Sequence, residues 1–107
     1  MKRIKVKLTA KSKERLVPLF KRFEQTPEHT LHNELTNAYI LRLALFEAVK
    51  KNVDVSEKLE YDNVTSLLVP EWLIAAVSMH AQFIPLADTE ALSRFVNAGL
   101  ELLEGTK

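Results

Sequence analysis

The chain has 107 residues, 47% of them hydrophobic, which is enough for one small folded domain. The lack of cysteine excludes disulfides and thiolate chemistry, and the scarcity of glycine excludes a glycine-rich phosphate loop. The net charge of +1 conceals an asymmetry, because residues 1–53 carry 12 Lys and Arg against 5 Asp and Glu, whereas residues 54–107 carry 3 against 9. This division predicts a polyanionic partner for the basic half, the alternative being a dipolar surface that only serves solubility.

The N-terminal segment RIKVKL alternates strictly between cationic and apolar residues, which is the pattern of a half-buried β-strand. The alternation puts Arg3, Lys5 and Lys7 on one face of the strand and its apolar residues on the other. Because a single strand is unstable in water, this segment needs a partner strand and a core beneath its apolar face.

Two helices are predicted to follow the strand. Thr9 or Ser12 caps the first, and Pro18 is expected to kink or break it. The second begins between Pro27 and Glu34 and is apolar nearly all round, which is typical of a helix buried in a core or an interface.

The second half shows the same order of elements after a polar linker at residues 52–61. A short apolar and β-branched segment over residues 64–69 predicts a strand, and Pro70 stands where a helix would begin. Trp72 in that helix is interpreted as a packing residue. Pro85 separates this helix from a last one, which Asp88 or Thr89 caps.

The sequence therefore predicts the order strand, helix and helix twice, with repeat one at 2–51 and repeat two at 62–104 of a single domain, 1–107. The two copies align at an offset of 61 over the strand and first helix, and of 55 over the second helix. One such unit cannot bury its own apolar face, whereas two can. We therefore expect a mainly α protein in which the two strands form an antiparallel ribbon over a shared helical core. The alternative is a helical bundle with a basic N-terminal arm and no repeat.

This order, spacing and basic strand resemble the ribbon-helix-helix superfamily of Arc, MetJ and CopG, in the tandem form that makes one chain a pseudo-dimer. The resemblance covers residues 2–104 and implies that the ribbon enters the DNA major groove. It implies base reading by Arg3, Lys5 and Lys7. It also implies base reading by Ser66 or Thr65, depending on the register of the second strand.

The resemblance also implies contacts to the DNA backbone. The predicted phosphate-binding residues are Lys2, Lys11 and Lys13 beside the strand and Asn33 near the start of the second helix. The second strand departs from the family pattern, because it lacks a basic set of its own. This departure argues against a palindromic site and suggests an asymmetric site, a second molecule that contributes another basic strand, or a different use of the ribbon.

Neither catalysis nor cofactor or metal binding is expected. His29 and His32 are close in sequence but do not form a set of three or four ligands, and no nucleophile is bracketed by a base. No apolar run approaches the roughly 20 residues of a membrane span, so we expect no membrane partner and a cytoplasmic location.

The sequence thus predicts a sequence-specific double-stranded DNA-binding protein, either a transcriptional repressor or an accessory factor of a DNA-processing or transfer complex. It is expected to act as a monomer or to self-associate on DNA, and its acidic C-terminal half is a candidate surface for a protein partner. The alternative is a protein–protein interaction module, an adaptor without DNA activity, whose basic strand docks on an acidic partner or whose ribbon a partner strand extends.

Overall fold

A computed structural model describes residues 1–31, 34–81 and 88–105 and is mainly helical, with a single two-stranded sheet in the part of the chain that it describes. Its elements, in chain order, are β1 (Lys2–Leu8), α1 (Ala10–Glu24), α2 (Pro27–Thr30), α3 (Asn37–Lys50), β2 (Asn63–Val69), α4 (Glu71–Ala81) and α5 (Asp88–Gly105). No helix among these described segments is long and apolar enough to cross a lipid bilayer.

The predicted partner of the basic strand is confirmed. β1 pairs antiparallel with β2, so that Lys2 lies opposite Val69, Lys5 opposite Ser66 and Leu8 opposite Asn63. This pairing excludes the helical bundle with a basic N-terminal arm. The inner face of the ribbon is apolar and faces the helices, and its buried residues are Val6, Leu8, Leu67 and Val69.

The core lies between this ribbon and the two long helices α3 and α5. Both helices are buried over their central turns. The central turns of α3 are almost entirely apolar, whereas α5 also buries the polar residues Ser93, Arg94 and Asn97. The helices approach closely where Gly99 meets Ala44: a Cβ placed on Gly99 would lie 1.8 Å from the Ala44 carbonyl oxygen. Glycine is therefore required at this crossing, since any side chain would collide with backbone.

The first helix begins after the earlier of its two candidate caps and is not broken. Thr9 is the N-cap, and its hydroxyl accepts a hydrogen bond from the Ser12 N–H at 3.1 Å. The predicted break at Pro18 is wrong, because α1 runs without interruption from Ala10 to Glu24. Pro18 and Glu14, one turn earlier, are both exposed, so the carbonyl that loses its donor lies on the solvent side of the helix.

The second predicted helix, which corresponds to α3, begins later than the sequence indicates. Pro27 starts only the single turn α2, and α3 begins at Asn37, where the Thr36 hydroxyl accepts from the Tyr39 N–H at 3.2 Å. The helix ends where Asn52 adopts a left-handed conformation with φ of 53°. α4 likewise begins one residue later than predicted. Its first carbonyl acceptor is that of Pro70, which stands just before the helix.

Candidate nucleic-acid interface

The ribbon presents a face to solvent, opposite the core, that is made of two rows of side chains. Its residues, here called the outward face, are Arg3, Lys5 and Lys7 from β1 and Val64, Ser66 and Leu68 from β2, and all six are exposed. The register places Arg3 opposite Leu68, Lys5 opposite Ser66 and Lys7 opposite Val64. Neither strand contains an acidic residue, so the outward face carries positive charge alone.

The register of β2 decides between the two candidate polar residues of that strand. Ser66 lies on the outward face, where its hydroxyl accepts a weak hydrogen bond from the Arg3 guanidinium at 3.4 Å. Thr65 is half-buried and shares the helix-facing side with Leu67, which is completely buried. Because side chains alternate with period two, burial of Leu67 requires that Thr65 point away from the cations. The structure thus brings Ser66, and not Thr65, to the predicted base-reading residues.

The C-terminal end of β1 is fixed by two polar side chains of α5 that the sequence analysis did not single out. The Lys7 N–H donates to the Ser93 hydroxyl at 3.0 Å, and the Thr9 N–H donates to Asn97 Oδ1 at 3.0 Å. The Asn97 amide nitrogen in turn donates to the Lys7 carbonyl at 2.9 Å. Both α5 side chains are buried, so the backbone carrying Lys7 is held rigidly. No local pattern in the sequence indicates them, because α5 carries other polar residues and the backbone groups that these two side chains bind lie 86 to 90 residues earlier.

The linker contributes an aromatic ring beside Lys7. The Lys7 Nζ lies 5.7 Å from the centre of the Tyr61 ring, within the range of a cation–π interaction. The Tyr61 hydroxyl donates to Glu90 Oε1 at 3.0 Å, and the same carboxylate oxygen accepts from Arg94 Nε at 3.1 Å. Burial of the phenol, then its hydrogen bond to Glu90 and the charge of that carboxylate, raise the pKa of Tyr61 to about 12.

Arg94 ties the linker itself to α5. Its guanidinium donates to the Val55 and Ser56 carbonyls, each at 3.0 Å, in addition to its ion pair with Glu90. Within this loop the Ser56 N–H donates to the Asp54 carboxylate at 3.0 Å. That hydrogen bond is the main reason that the pKa of Asp54 is lowered. The linker is thus held against α5, and it ends beside Lys7.

The predicted phosphate-binding lysines lie on β1 and on the helix that follows it. Lys2 is exposed at the start of β1, and Lys11 and Lys13 are exposed in the first turns of α1. Arg15, one turn further, is instead paired with Glu104 at 3.1 Å. Asn33, the fourth predicted phosphate contact, lies outside the described residues.

The structure gives His29 a packing role. Its ring stacks on Phe23 with centroids 4.3 Å apart, and its Nδ1 lies 2.7 Å from the Tyr39 hydroxyl, so it fastens α2 between α1 and α3. His32 lies outside the described residues. No group of three or more His, Cys, Asp or Glu side chains suited to a metal ion occurs within residues 1–31, 34–81 and 88–105.

The interpretation of Trp72 as a packing residue is wrong. Its side chain is 61% exposed and touches Phe46 edge to face, with ring centroids 6.0 Å apart. The second residue of α4 faces solvent because the inward positions of that helix belong to Leu73 and Val77. With Met1, which is also exposed, the two aromatic residues line an open apolar depression near the end of the ribbon.

Comparison of the chain with protein-family models, with curated protein sequences and with solved structures found no match.

Proposed function

We propose that this chain is a non-enzymatic, sequence-specific double-stranded DNA-binding protein of the ribbon-helix-helix type. Its role would be that of a repressor or of an accessory factor in a DNA-processing complex. The observation that carries the proposal is the row formed by Arg3, Lys5 and Lys7, fully displayed on one face of a two-stranded ribbon. A ribbon of this kind fits the major groove, where Arg and Lys match the O6 and N7 acceptors of guanine.

A tandem repeat is part of the proposal, and the register supports it. Lys5 and Ser66 are equivalent at the offset of 61, and they lie opposite each other in the ribbon. In a symmetric dimer of ribbon-helix-helix units, the residue on the twofold axis pairs with its own copy. This pairing is what an internal twofold axis through the ribbon requires.

The helices support the repeat in the same way. Ala44 and Gly99 are equivalent at the offset of 55, and they meet where α3 and α5 approach closely. Arg42 and Asn97 are also equivalent at 55. The first donates to the Leu68 carbonyl at 3.4 Å and the second to the equivalent carbonyl of the other strand, that of Lys7.

The residues have distinct roles in the proposed complex. Arg3, Lys5 and Lys7 read base edges, Ser66 adds a hydroxyl at the centre of the same face, and Lys2, Lys11 and Lys13 contact phosphates. Phosphate contacts position the protein and make binding dependent on salt, whereas base contacts provide specificity. The acidic residues of the second half of the chain, all of which lie outside β2, are expected to lie away from the DNA.

The test is selection from a randomised double-stranded DNA pool at about 150 mM salt, where exposed charges more than about 8 Å apart are largely screened. The wild type is compared with an Arg3, Lys5 and Lys7→Ala triple variant. A charge-matched control carries Lys50, Lys51 and Lys58→Ala, three exposed cations outside the ribbon.

The expected result is one enriched motif for the wild type and for the control, and none for the ribbon variant. Arg3→Ala alone is expected to cost about 1–3 kcal/mol at its cognate base pair and to relax specificity there. The proposal is refuted if no motif is enriched, or if the control variant loses binding to the same extent as the ribbon variant.

A protein–protein interaction module without DNA activity is the second candidate function. The exposed apolar depression around Met1, Phe46 and Trp72 favours it, because large exposed apolar patches commonly mark interaction sites. Addition of a partner strand along the free edge of β1 is disfavoured at Lys7, since Ser93 and Asn97 already bind the N–H and the carbonyl of that residue. This function predicts that no DNA motif is enriched and that Trp72→Ala weakens binding to the protein partner.

A further inference from the structure

The outward face carries two exposed apolar side chains that the cationic row does not explain. Val64 is 54% exposed and Leu68 is 37% exposed, and both belong to β2. Each lies directly opposite a cation, Val64 opposite Lys7 and Leu68 opposite Arg3. The outward face therefore consists of a cationic row on β1 and, beside it, an apolar row on β2 that is interrupted only by Ser66.

The two rows carry different chemical groups, and these groups match different groups that base pairs expose in the major groove. Neighbouring strands lie about 4.8 Å apart, so a ribbon in a groove about 12 Å wide has one row nearer each DNA strand. Guanine offers the O6 and N7 acceptors there, and the C5 methyl of thymine is the apolar group in that groove. A cationic row suits guanine, and an apolar row of Val and Leu suits thymine methyls.

We infer, resting on the proposed DNA-binding function, that the two strands of the ribbon read the two strands of DNA by different chemistry. β1 reads guanines on one DNA strand through Arg3, Lys5 and Lys7. β2 reads thymine methyls on the opposite DNA strand through Val64 and Leu68.

The inference defines the class of target site. Guanine on the strand beside β1, together with the adenines that pair with the contacted thymines, makes that strand rich in purines. The complementary strand is rich in pyrimidines. The site is therefore asymmetric, and the protein binds it in one orientation. A symmetric ribbon would instead require a palindrome.

Cationic neighbours favour DNA as the partner of the apolar row over another protein chain. A second protein covering Val64 and Leu68 would also have to cover Lys7 and Arg3 opposite them, and removing unpaired charges from water is costly. DNA supplies phosphates and guanine acceptors to those cations while it supplies methyl groups to the apolar row. The same partner thus satisfies both rows.

The test replaces thymine by uracil, one position at a time, in the duplex enriched by the selection. This change removes a single methyl group and leaves every hydrogen-bonding group in place. For the wild type, each contacted position on the pyrimidine-rich strand is expected to lose affinity about fourfold, the equivalent of one buried methyl group. Replacing cytosine by 5-methylcytosine beside the apolar row is expected to strengthen binding.

Variants connect the effect to the residues. The Val64→Ala and Leu68→Ala variants are expected to bind the thymine and uracil duplexes equally at the positions that each residue contacts. Val17→Ala is the control, because Val17 is a similarly exposed valine on α1, at 60%, and lies outside the ribbon. It is expected to retain the full difference between the two duplexes.

The outcomes separate this inference from the function on which it rests. Failure of the selection to enrich any motif would refute DNA binding, and the inference with it. An enriched motif that is palindromic, or that tolerates uracil at every position, would refute the inference alone. Loss of self-association or of protein binding in the Val64 and Leu68 variants, with unchanged discrimination against uracil, would assign the apolar row to a protein partner and would likewise refute it.

Discussion

The crossing of α3 and α5 makes Gly99→Ala the most informative single substitution for the fold. A Cβ at Gly99 would lie 1.8 Å from the Ala44 carbonyl oxygen, 2.4 Å from its carbonyl carbon and 2.9 Å from its Cα. All three atoms belong to the backbone of a buried helix, so no side-chain rotation relieves the collision. An ordinary contact needs at least 3.4 Å, so the two helices would have to move apart along the centre of the core.

The magnitude follows from two opposing effects. Overpacking of a core typically costs about 1–3 kcal/mol and occasionally more, and the rigid backbone on one side puts this site at or above the upper end. The higher helix propensity of alanine offsets about 1 kcal/mol of this loss of stability. We therefore expect a net loss of about 2–4 kcal/mol in the free energy of unfolding, which lowers the Tm by at least about 8 °C for a domain of this size.

The assay is urea and thermal unfolding followed by far-ultraviolet circular dichroism. Gly105→Ala is the matched control, because nothing lies within 4 Å of a Cβ at that position, and its stability is expected to stay within about 0.5 kcal/mol of the wild type. Adding Ala44→Gly to Gly99→Ala is expected to give no rescue, since the colliding atoms are backbone. A Gly99→Ala protein as stable as the Gly105→Ala control would refute the close crossing.

Three further predictions concern the ribbon and its surroundings. Asn97→Ala leaves one N–H and one C=O at the end of β1 without their partner, and we expect it to lower the free energy of unfolding by at least about 2 kcal/mol in urea. Because the pKa of Tyr61 is about 12 in the folded protein and its ordinary value is 10, the neutral phenol stabilises the fold below pH 10, and this contribution is lost as the pH rises from 10 to 12. Wild-type stability should therefore fall relative to Tyr61→Phe across that interval, and parallel pH profiles of urea unfolding would contradict a raised pKa of Tyr61, which burial and the contact with Glu90 together cause. The Lys11 and Lys13→Ala variants are each expected to reduce the slope of log affinity for DNA against log salt concentration by about 0.9, as loss of one phosphate contact does, without changing the selected motif. An altered motif at constant slope would show that these lysines read bases instead.

The elements that the sequence determined are those with a local signal. The alternation in RIKVKL was sufficient to predict a strand with three cations on one face, because period two sorts side chains without knowledge of their partner. Thr9 was one of two candidate caps for a similarly local reason, since a hydroxyl three residues before a free N–H is all that the cap requires, and the structure decided between Thr9 and Ser12. The need for a second strand followed from the marginal stability of one strand alone.

Features that depend on more distant parts of the chain were decided only by tertiary structure. The segment NVTSLLV has two adjacent leucines and no clean alternation, so its register followed from pairing with β1, which buries Leu67 and exposes Leu68. The exposure of Trp72 could not be predicted from the sequence either, because the pattern of a helix that is apolar on every side does not indicate which face meets the core.

The polar contacts that fix the basic strand were equally invisible in the sequence. Ser93 and Asn97 bond to backbone that lies 86 to 90 residues earlier in the chain. Local pattern specifies which side chains share a face. The sequence pattern does not indicate which faces pack together or which backbone groups need a side-chain partner there. Both depend on how distant segments pack in the same close-packed core.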